Sequence, residues 1–310
     1  MKKNKIMRIL VVVLSIFIIT GCTTTLKDPK TKKVVTYEDE KVKITLNENI
    51  LCKPTNKGLV KEYNKYKKQI DISKLPDCDK FKPSDANYNN LWETLVVKPL
   101  AWLTLKIGSL VKSYGIALII LSIIIRLILA PFTKKTAMQS ENMKKMQPEM
   151  DRINKKYENK TDQDSMTKKP METMALYKKY DINPFSSCLF AFIQIPLLFA
   201  FLEAINRTPV IFENKFFKLD MGTTISHGIM SKTWYLYVLL FVIILATSYL
   251  SFRKTLKDQT GMAKKMKSTI YIMLAMIVVA SFSLPVALGL YWIASSLFTV
   301  AQNLIVERKK

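Results

Sequence analysis

The sequence predicts an all-α integral membrane protein with five transmembrane helices. Of its 310 residues, 49% are hydrophobic, and they collect in runs close to the roughly 20 residues that cross a bilayer core. The segments between these runs are rich in lysine and bring the formal net charge to +24. Lysine beside apolar runs is suited to anionic lipid headgroups, and no zinc-finger or RNA-binding signature is present. The charge therefore favours the lipid bilayer as a partner over a specific nucleic-acid sequence.

Residues 1–21 have the layout of a bacterial lipoprotein signal peptide. A basic MKKNKIMR segment precedes an apolar run, and Ile19-Thr20-Gly21-Cys22 follows as a lipobox-like tetrad. This pattern predicts lipid attachment at Cys22 and places the chain from residue 23 outside the cytoplasm. The alternative is an ordinary anchor helix with an incidental cysteine.

Residues 22–89 form the predicted extracytoplasmic segment. It is polar, rich in lysine and interrupted by short turns, so we expect it to be weakly structured. Cys52 and Cys78 lie in it, where a disulfide can persist. Cys188 lies in an apolar run and His227 stands alone in a loop, so the sequence predicts no metal site and no cofactor.

Residues 90–113 are expected to form an amphipathic helix at the outer membrane interface. Apolar residues recur every three or four positions, as on one face of a helix. They are Trp92, Leu95, Val96, Pro99, Leu103, Ile107 and Leu110. Charged residues at 93, 98, 106 and 112 interrupt a spanning run, which favours the interface.

Residues 114–306 form the predicted core of five spans. The last apolar stretch, 269–306, would measure about 57 Å as a single helix, which is too long for one crossing. Pro285 lies within it and cannot donate a helical hydrogen bond, so we expect it to separate a fourth from a fifth span. The other spans are expected at 114–132, ending at Pro131, and at 184–205 and 233–252.

The polar insertion at 134–183 is expected to form a cytoplasmic helical hairpin. Its first half carries apolar residues at helical spacing. These are Met143, Met146, Met150, Ile153 and Tyr157. The second arm is predicted around 171–180, with Pro170 in its first turn, and should pack against the first arm.

Basic residues bias the predicted orientation. Loop 134–183 carries 12 Lys and Arg, loop 253–268 carries 6, and the basic tail 307–310 carries 3, whereas loop 207–232 carries 4. The larger counts lie opposite the predicted lipidated N-terminus. We therefore expect a multi-pass protein of the bacterial cell membrane with a cytoplasmic C-terminus.

Arg126 is the most informative residue of the predicted spans. It lies in an apolar run without an acidic residue, where a charge is costly unless it faces protein or water. Two interpretations stay open: the side chain extends toward Lys134 at the membrane surface, or it faces a hydrated cavity. Ser122 lies one helical turn away, and Gln194 and Gln302 lie in other spans. Together these residues favour a polar groove.

Three blocks of sequence occur in a fixed order between residues 90 and 306. They are YGIA at 114–117 through IRL at 125–127, LYKKYDINP at 176–184 through IQIP at 193–196, and LP at 284–285 through LYWI at 290–293 and Gln302. This combination resembles the YidC-type membrane-protein insertase family. Phe190 departs from the pattern, since the family commonly has a proline there.

The resemblance implies a five-helix core around a hydrophilic groove that is open to the cytoplasm and to lipid. The family's groove arginine corresponds to Arg126, the polar residue one turn before it to Ser122, and the fifth-span aromatic residue to Trp292. Gln194 and Gln302 fall in the matching blocks. The implied partners are nascent membrane proteins, with a Sec-type translocon and the ribosome beside them.

The implied function is non-enzymatic, and the sequence contains neither a phosphate-binding GxxxxGK loop nor a catalytic acid–base pair. Two alternatives remain. A small-solute transporter or anion-binding membrane protein would use Arg126 as an anion site, and a chaperone would grip apolar segments with the methionine-rich hairpin.

The lipobox generates the first testable prediction. The mature chain should begin at a lipid-modified Cys22, because the tetrad supplies small residues before a cysteine at the end of the apolar run. Intact-mass measurement checks it: an unmodified chain that begins at Met1 would contradict it.

Overall fold

The computed structural model describes residues 24–39, 42–85, 90–182, 186–257 and 263–308. The predicted signal peptide and Cys22 lie outside the described residues. The chain divides into two compact units. The first comprises residues up to 122, 194–242 and 281–292, and the second comprises 123–193, 243–280 and 293–310.

The described residues of the predicted extracytoplasmic segment, 24–39 and 42–85, are folded, so the expectation of weak structure was wrong. Two antiparallel strands, β1 (Thr36–Asp39) and β2 (Val42–Thr45), are followed by helix α1 (Lys57–Lys65) and a single 3-10 turn at Ile72–Lys74. They enclose a buried apolar cluster. Its members from this segment are Leu26, Val35, Ile44, Leu46, Ile50, Leu59, Tyr63, Ile70 and Ile72. Single apolar residues scattered among lysines give little local signal, although tertiary packing gathers them into a core.

A disulfide joins Cys52 to Cys78, whose Cα atoms lie 4.9 Å apart. Both cysteines are buried. The bond ties the loop before α1 to the segment after the 3-10 turn. It therefore crosses the interior of the small subdomain formed by residues 24–85.

The predicted interfacial helix is present as a π-helical turn, Glu93–Val97, followed by α2 (Lys98–Val111). Leu95 and Leu110 of the predicted apolar stripe are exposed, whereas Glu93 and Lys98 are buried. Trp92, the first residue of the stripe, is also buried, so the outward face begins at Leu95 and suits contact with lipid. By length and composition, Glu93–Val111 is also long and apolar enough to cross a membrane.

The predicted spans correspond to long helices. They are α3 (Tyr114–Lys156), α5 (Ser186–Asn206), α8 (Trp234–Lys257), α9 (Ala263–Ser283) and α10 (Val286–Arg308), with α4 (Gln163–Lys179) between the first two. Within the described residues, four segments meet length and composition criteria for crossing a membrane. They are Glu93–Val111, Tyr114–Pro131, Trp234–Arg253 and Val286–Ile305. In α5 and α9 the described apolar portions are shorter, Gln194–Asn206 and Leu274–Ser283, so the count of five spans stays a prediction.

The break at Pro285 occurs as predicted, since α9 ends at Ser283 and α10 begins at Val286. The amide of Val286 donates to the Thr223 carbonyl at 2.9 Å, and the amide of Ala287 donates to the Met221 carbonyl at 3.0 Å. The loop between α5 and α8 thereby satisfies amides that the first turn of α10 cannot satisfy itself. That loop holds helices α6 (Pro209–Phe212) and α7 (Ile225–Gly228) and the strand pair β3 (Lys215–Phe216) and β4 (Leu219–Asp220).

The first apolar span ends at Pro131 as predicted, although its helix continues as α3 to Lys156. The prediction for Pro170 was wrong. The second arm, α4, begins at Gln163, so Pro170 lies inside it rather than in its first turn. The Asp162 carboxylate caps this earlier start by accepting from the amide of Ser165 at 2.9 Å.

The predicted packing of the hairpin arms is confirmed. Met146 and Met150 of α3 form a buried cluster with Leu176 of α4 and with Ile182 beyond it. The side chains packed around this cluster are Met143, Ile153, Tyr177 and Tyr180. The arms are therefore joined by an apolar seam at the predicted spacing.

Each arm also ends in a Lys-Tyr pair that binds a glutamate of the other arm. Lys156 and Tyr157 donate to Glu172 at 2.6 and 2.8 Å. Lys179 and Tyr180 both donate to Glu149 at 2.7 Å. Hydrogen bonds from the lysine and then the tyrosine hold the pKa of each carboxyl below its ordinary value. The hairpin thus has a matched polar contact near each end of its seam.

These contacts predict that the packing of α3 against α4 in the hairpin depends on pH. A carboxyl whose pKa is lower in the folded protein contributes stability above its ordinary range, and loses it as the pH falls through the lowered value. Spin labels on the exposed positions Lys145 and Lys178 should therefore show a broader distance distribution once the pH falls below the ordinary range of a glutamate carboxyl. The Glu149→Gln, Glu172→Gln double variant should be broadened already at neutral pH and insensitive to acid. An unchanged narrow distribution in acid would contradict the prediction.

Candidate functional site

Arg126 lies in α3 with its side chain turned into the protein. Only 6% of its surface is exposed, whereas its neighbours Leu127 and Ile128 are 58% and 66% exposed. The apolar neighbours present the lipid-facing side of the span. The guanidinium therefore faces protein in the structure, which disfavours extension of the side chain toward the membrane surface.

Ser295 of α10 is the hydrogen-bond partner that sequence reasoning missed. The Nε of Arg126 donates to the Ser295 hydroxyl at 2.7 Å, and a terminal guanidinium nitrogen contacts the same oxygen. Ser295 itself is buried. A serine hydroxyl orients a guanidinium without neutralising it. The segments Tyr114–Pro131 and Val286–Ile305 contain no aspartate or glutamate, so neither helix supplies a countercharge within its apolar part.

Gln194 and Ser122 both lie in the first compact unit. Gln194 donates to the Tyr291 hydroxyl of α10 at 2.9 Å, and the ring of Tyr291 stacks on Phe201 with centroids 4.2 Å apart. Ser122 is buried and its hydroxyl donates to the Leu118 carbonyl of its own helix. The structure therefore joins Gln194 to α10 and satisfies Ser122 locally.

Trp292 and Gln302 occupy two further positions of α10. Trp292 is partly buried and lines a small cavity with Pro285, Val286 and Ser281. Gln302 donates to the Ala130 carbonyl of α3 at 3.4 Å. Side chains of α10 thus form hydrogen bonds with Arg126, with Gln194 and with the Ala130 carbonyl near the end of the first span.

The sequence contained a weak signal for Ser295. A Ser-Ser pair in an apolar run is as unusual as the glutamines that were noticed, and it lies one helical turn beyond Trp292. Tyr291 was noted as part of a motif but without a partner. A partner from a helix more than 160 residues earlier cannot be read from periodicity, because periodicity reports one helix at a time.

Comparison with known proteins identifies the family. A family model described as the 60Kd inner membrane protein matches residues 106–310. Among curated relatives, the membrane protein insertase YidC of Oceanobacillus iheyensis is 32% identical over 73% of this chain and 88% of its own length. Membrane protein insertase MisCA of Bacillus subtilis is 34% identical over 75% of this chain and 86% of its own. The YidC of Alkalihalophilus pseudofirmus is 37% identical over 72% and 84%.

A solved structure is similar at a lower level. It is described as an active YidC insertase with its first transmembrane domain resolved, and it matches 79% of this chain with 22% identity and a TM-score of 0.49. This chain spans about half of that protein, since the match covers 51% of its length.

Three findings point to one family. They are the family match over residues 106–310, the relatives more than 30% identical over most of both chains, and the long apolar helices. This chain belongs to the YidC family and is a multi-pass protein of the cell membrane.

Proposed function

We propose that this chain is a membrane-protein insertase and chaperone that integrates newly made membrane proteins through a polar groove containing Arg126. The burial of the Arg126 guanidinium in an apolar span, against the uncharged hydroxyl of Ser295, carries the proposal. A cation held in this way is positioned by the protein and keeps its attraction for an anion. The curated relatives, which are named membrane protein insertases, support the same function.

The substrate in this mechanism is a nascent protein with an acidic or polar extracytoplasmic tail. Burial of its apolar helix in lipid releases about 25 cal/mol for each Å² removed from water, so the final state is favourable without an energy source. The barrier is the passage of the polar tail across hydrocarbon. Arg126 lowers this barrier by attracting the tail partway across.

The apolar segment of the substrate then moves into lipid along the exposed faces of the spans. Residues on the outer surface of α8, such as Leu239 and Val242, are more than half exposed and suit contact with lipid or with a substrate helix. No covalent step and no cofactor is involved. The protein acts by shortening the polar crossing and by offering an apolar surface beside it.

In the proposed topology the lipid-anchored Cys22 and residues 24–85 lie outside the cytoplasm, and the hairpin and the C-terminus lie inside. The hairpin then faces the side on which nascent chains arrive. A Sec-type translocon and the ribosome are proposed partners at that stage.

The charge of Arg126 generates the central prediction. Arg126→Lys should retain most insertion activity, because a point cation is enough to attract an acidic tail. Arg126→Ala and Arg126→Glu should insert substrates with acidic tails about tenfold more slowly or worse, the effect of about 1.4 kcal/mol of lost attraction. The measurement is insertion into proteoliposomes of one substrate whose tail is made acidic, neutral or basic, at matched protein levels.

Two outcomes would remove Arg126 from this mechanism: equal loss for all three tails, or no loss for any. The same proteoliposomes separate the alternative function. Flux of small anions that depends on Arg126, without insertion of any substrate, would assign the protein to transport.

The contact with Ser295 generates a second prediction. Ser295→Ala removes the hydroxyl that orients Arg126, and a hydrogen bond to a charged group contributes roughly 1.5–3 kcal/mol. We expect slower insertion of acidic-tailed substrates, with a smaller loss than in Arg126→Ala, and recovery in Ser295→Thr. Ser296→Ala is the matched control, because the next residue points about 100° around the helix. Equal loss in the Ser295→Ala and Ser296→Ala variants would attribute the effect to helix packing.

A further inference from the structure

The small subdomain formed by residues 24–85 contacts the C-terminal end of α5. The side-chain amide of Asn47 donates to the Asn206 carbonyl at 2.8 Å, and the backbone amide of Leu51 donates to the Arg207 carbonyl at 2.7 Å. The last carbonyls of a helix have no donor within the helix. The subdomain supplies two donors from a loop more than 150 residues away in sequence.

The Arg207 side chain extends this contact into a buried charge cluster. Arg207 is 1% exposed and pairs with Glu93 from the π-helical turn and with Glu203 of α5, the latter at 3.7 Å. Its Nε donates to the Asn49 carbonyl of the subdomain at 2.7 Å. The indole of Trp92 donates to Glu203 at 3.2 Å. The cluster thus joins three segments that are distant in sequence.

The segment that follows Arg207 is held by the same subdomain. Phe212 of α6 belongs to the buried apolar cluster of the subdomain. The carboxylate of Glu213 accepts from the amides of Thr55 and Asn56 at 3.1 and 3.2 Å and from the Thr55 hydroxyl. Residues 47–56, here called the clamp loop, therefore form hydrogen bonds with Asn206, Arg207 and Glu213, and Ile50 of the loop lies in the same apolar cluster as Phe212.

The disulfide lies in the middle of the clamp loop. Cys52 follows Leu51, whose amide binds Arg207, and the amide of the next residue, Lys53, donates to the Pro76 carbonyl at 2.9 Å. The Cys52–Cys78 bond thus joins the loop at Cys52 to residues 76–78. Asn47, Asn49 and Leu51 of the same loop bind the end of α5. Without this attachment the loop would have to be ordered by its contacts alone, at an entropic cost.

We propose that residues 24–85 act as an intramolecular clamp on the end of α5 and that the Cys52–Cys78 disulfide holds the clamp closed. A charged group that stays buried is costly unless it keeps its partners. Opening of the clamp loop removes the Asn49 carbonyl from Arg207 and admits water to the cluster. A dithiol reductant opens the clamp by transferring two electrons and two protons to the disulfide, which gives two cysteine thiols and an oxidised dithiol. The proposal does not depend on the proposed insertase activity.

Hydrogen exchange of the purified full chain in lipid nanodiscs tests the clamp. Amides of residues 204–213 should exchange at least about tenfold faster after treatment with dithiothreitol than in the oxidised protein, because the constraint on the loop is lost. The Cys52→Ser, Cys78→Ser variant should match the reduced wild-type protein and show no response to dithiothreitol. Asp77→Asn is the matched control, since it removes the exposed ion pairs of Asp77 with Lys53 and Lys80 beside the disulfide and should leave exchange unchanged.

A second variant probes the contact between the clamp loop and the end of α5. Asn47→Ala removes one donor to α5 and leaves the disulfide in place, so residues 204–213 should exchange faster while the amides around Tyr63 stay protected. Three results would overturn the proposal: no change at 204–213 on reduction, free thiols at Cys52 and Cys78 in oxidised protein, or an equal loss of protection throughout α8 and α10. The last result would mean that the disulfide stabilises the whole protein and not a local clamp.

Discussion

The energetic cost of removing a guanidinium from water is the constraint on which both compact units of this protein depend. The buried guanidinium of Arg207 contacts two carboxylates and a backbone carbonyl, which compensate its positive charge. Removing one partner from such a buried pair typically costs about 3–5 kcal/mol, because the remaining charge is left buried and uncompensated. Arg126 binds the Ser295 hydroxyl in a pair of apolar segments that contain no carboxylate. A buried guanidinium is thus held in each unit, with carboxylate partners for Arg207 and a hydroxyl partner for Arg126.

The two helices of the hairpin are held together by apolar packing and ion pairs. An isolated helix arm in water is only marginally stable, so the two arms need contact with each other. The apolar seam of Met146, Met150 and Leu176 provides most of the burial, and the exposed glutamate contacts at either end fix the alignment of the arms. Exposed ion pairs contribute little stability each, which suits them to alignment more than to strength.

The sequence predicted the features that depend on local pattern. The methionine seam and the helix break at Pro285 follow from periodicity and from the chemistry of proline, and both are present. Pro131 and Pro170 both lie inside helices. A helix can tolerate an internal proline where packing or its capped ends hold it, and the sequence does not report that condition. Ser295 and the Arg207 cluster escaped prediction because their partners lie on other helices. The fold of residues 24–85 was missed because its apolar residues have no consistent period.

The two-residue break between α9 and α10 has a consequence for the geometry of the last helix. The amides of Val286 and Ala287 bind the loop at Met221–Thr223, and the neighbouring amide of Asp220 donates to the Tyr237 hydroxyl of α8 at 3.2 Å. The rotational phase of α10 is therefore fixed at its first turn. Every residue farther along follows in steps of about 100°, so one inserted residue would turn the whole helix by that angle. An insertion in the uncharged first turn of α10, nine residues before Ser295, would therefore rotate the Ser295 hydroxyl away from Arg126.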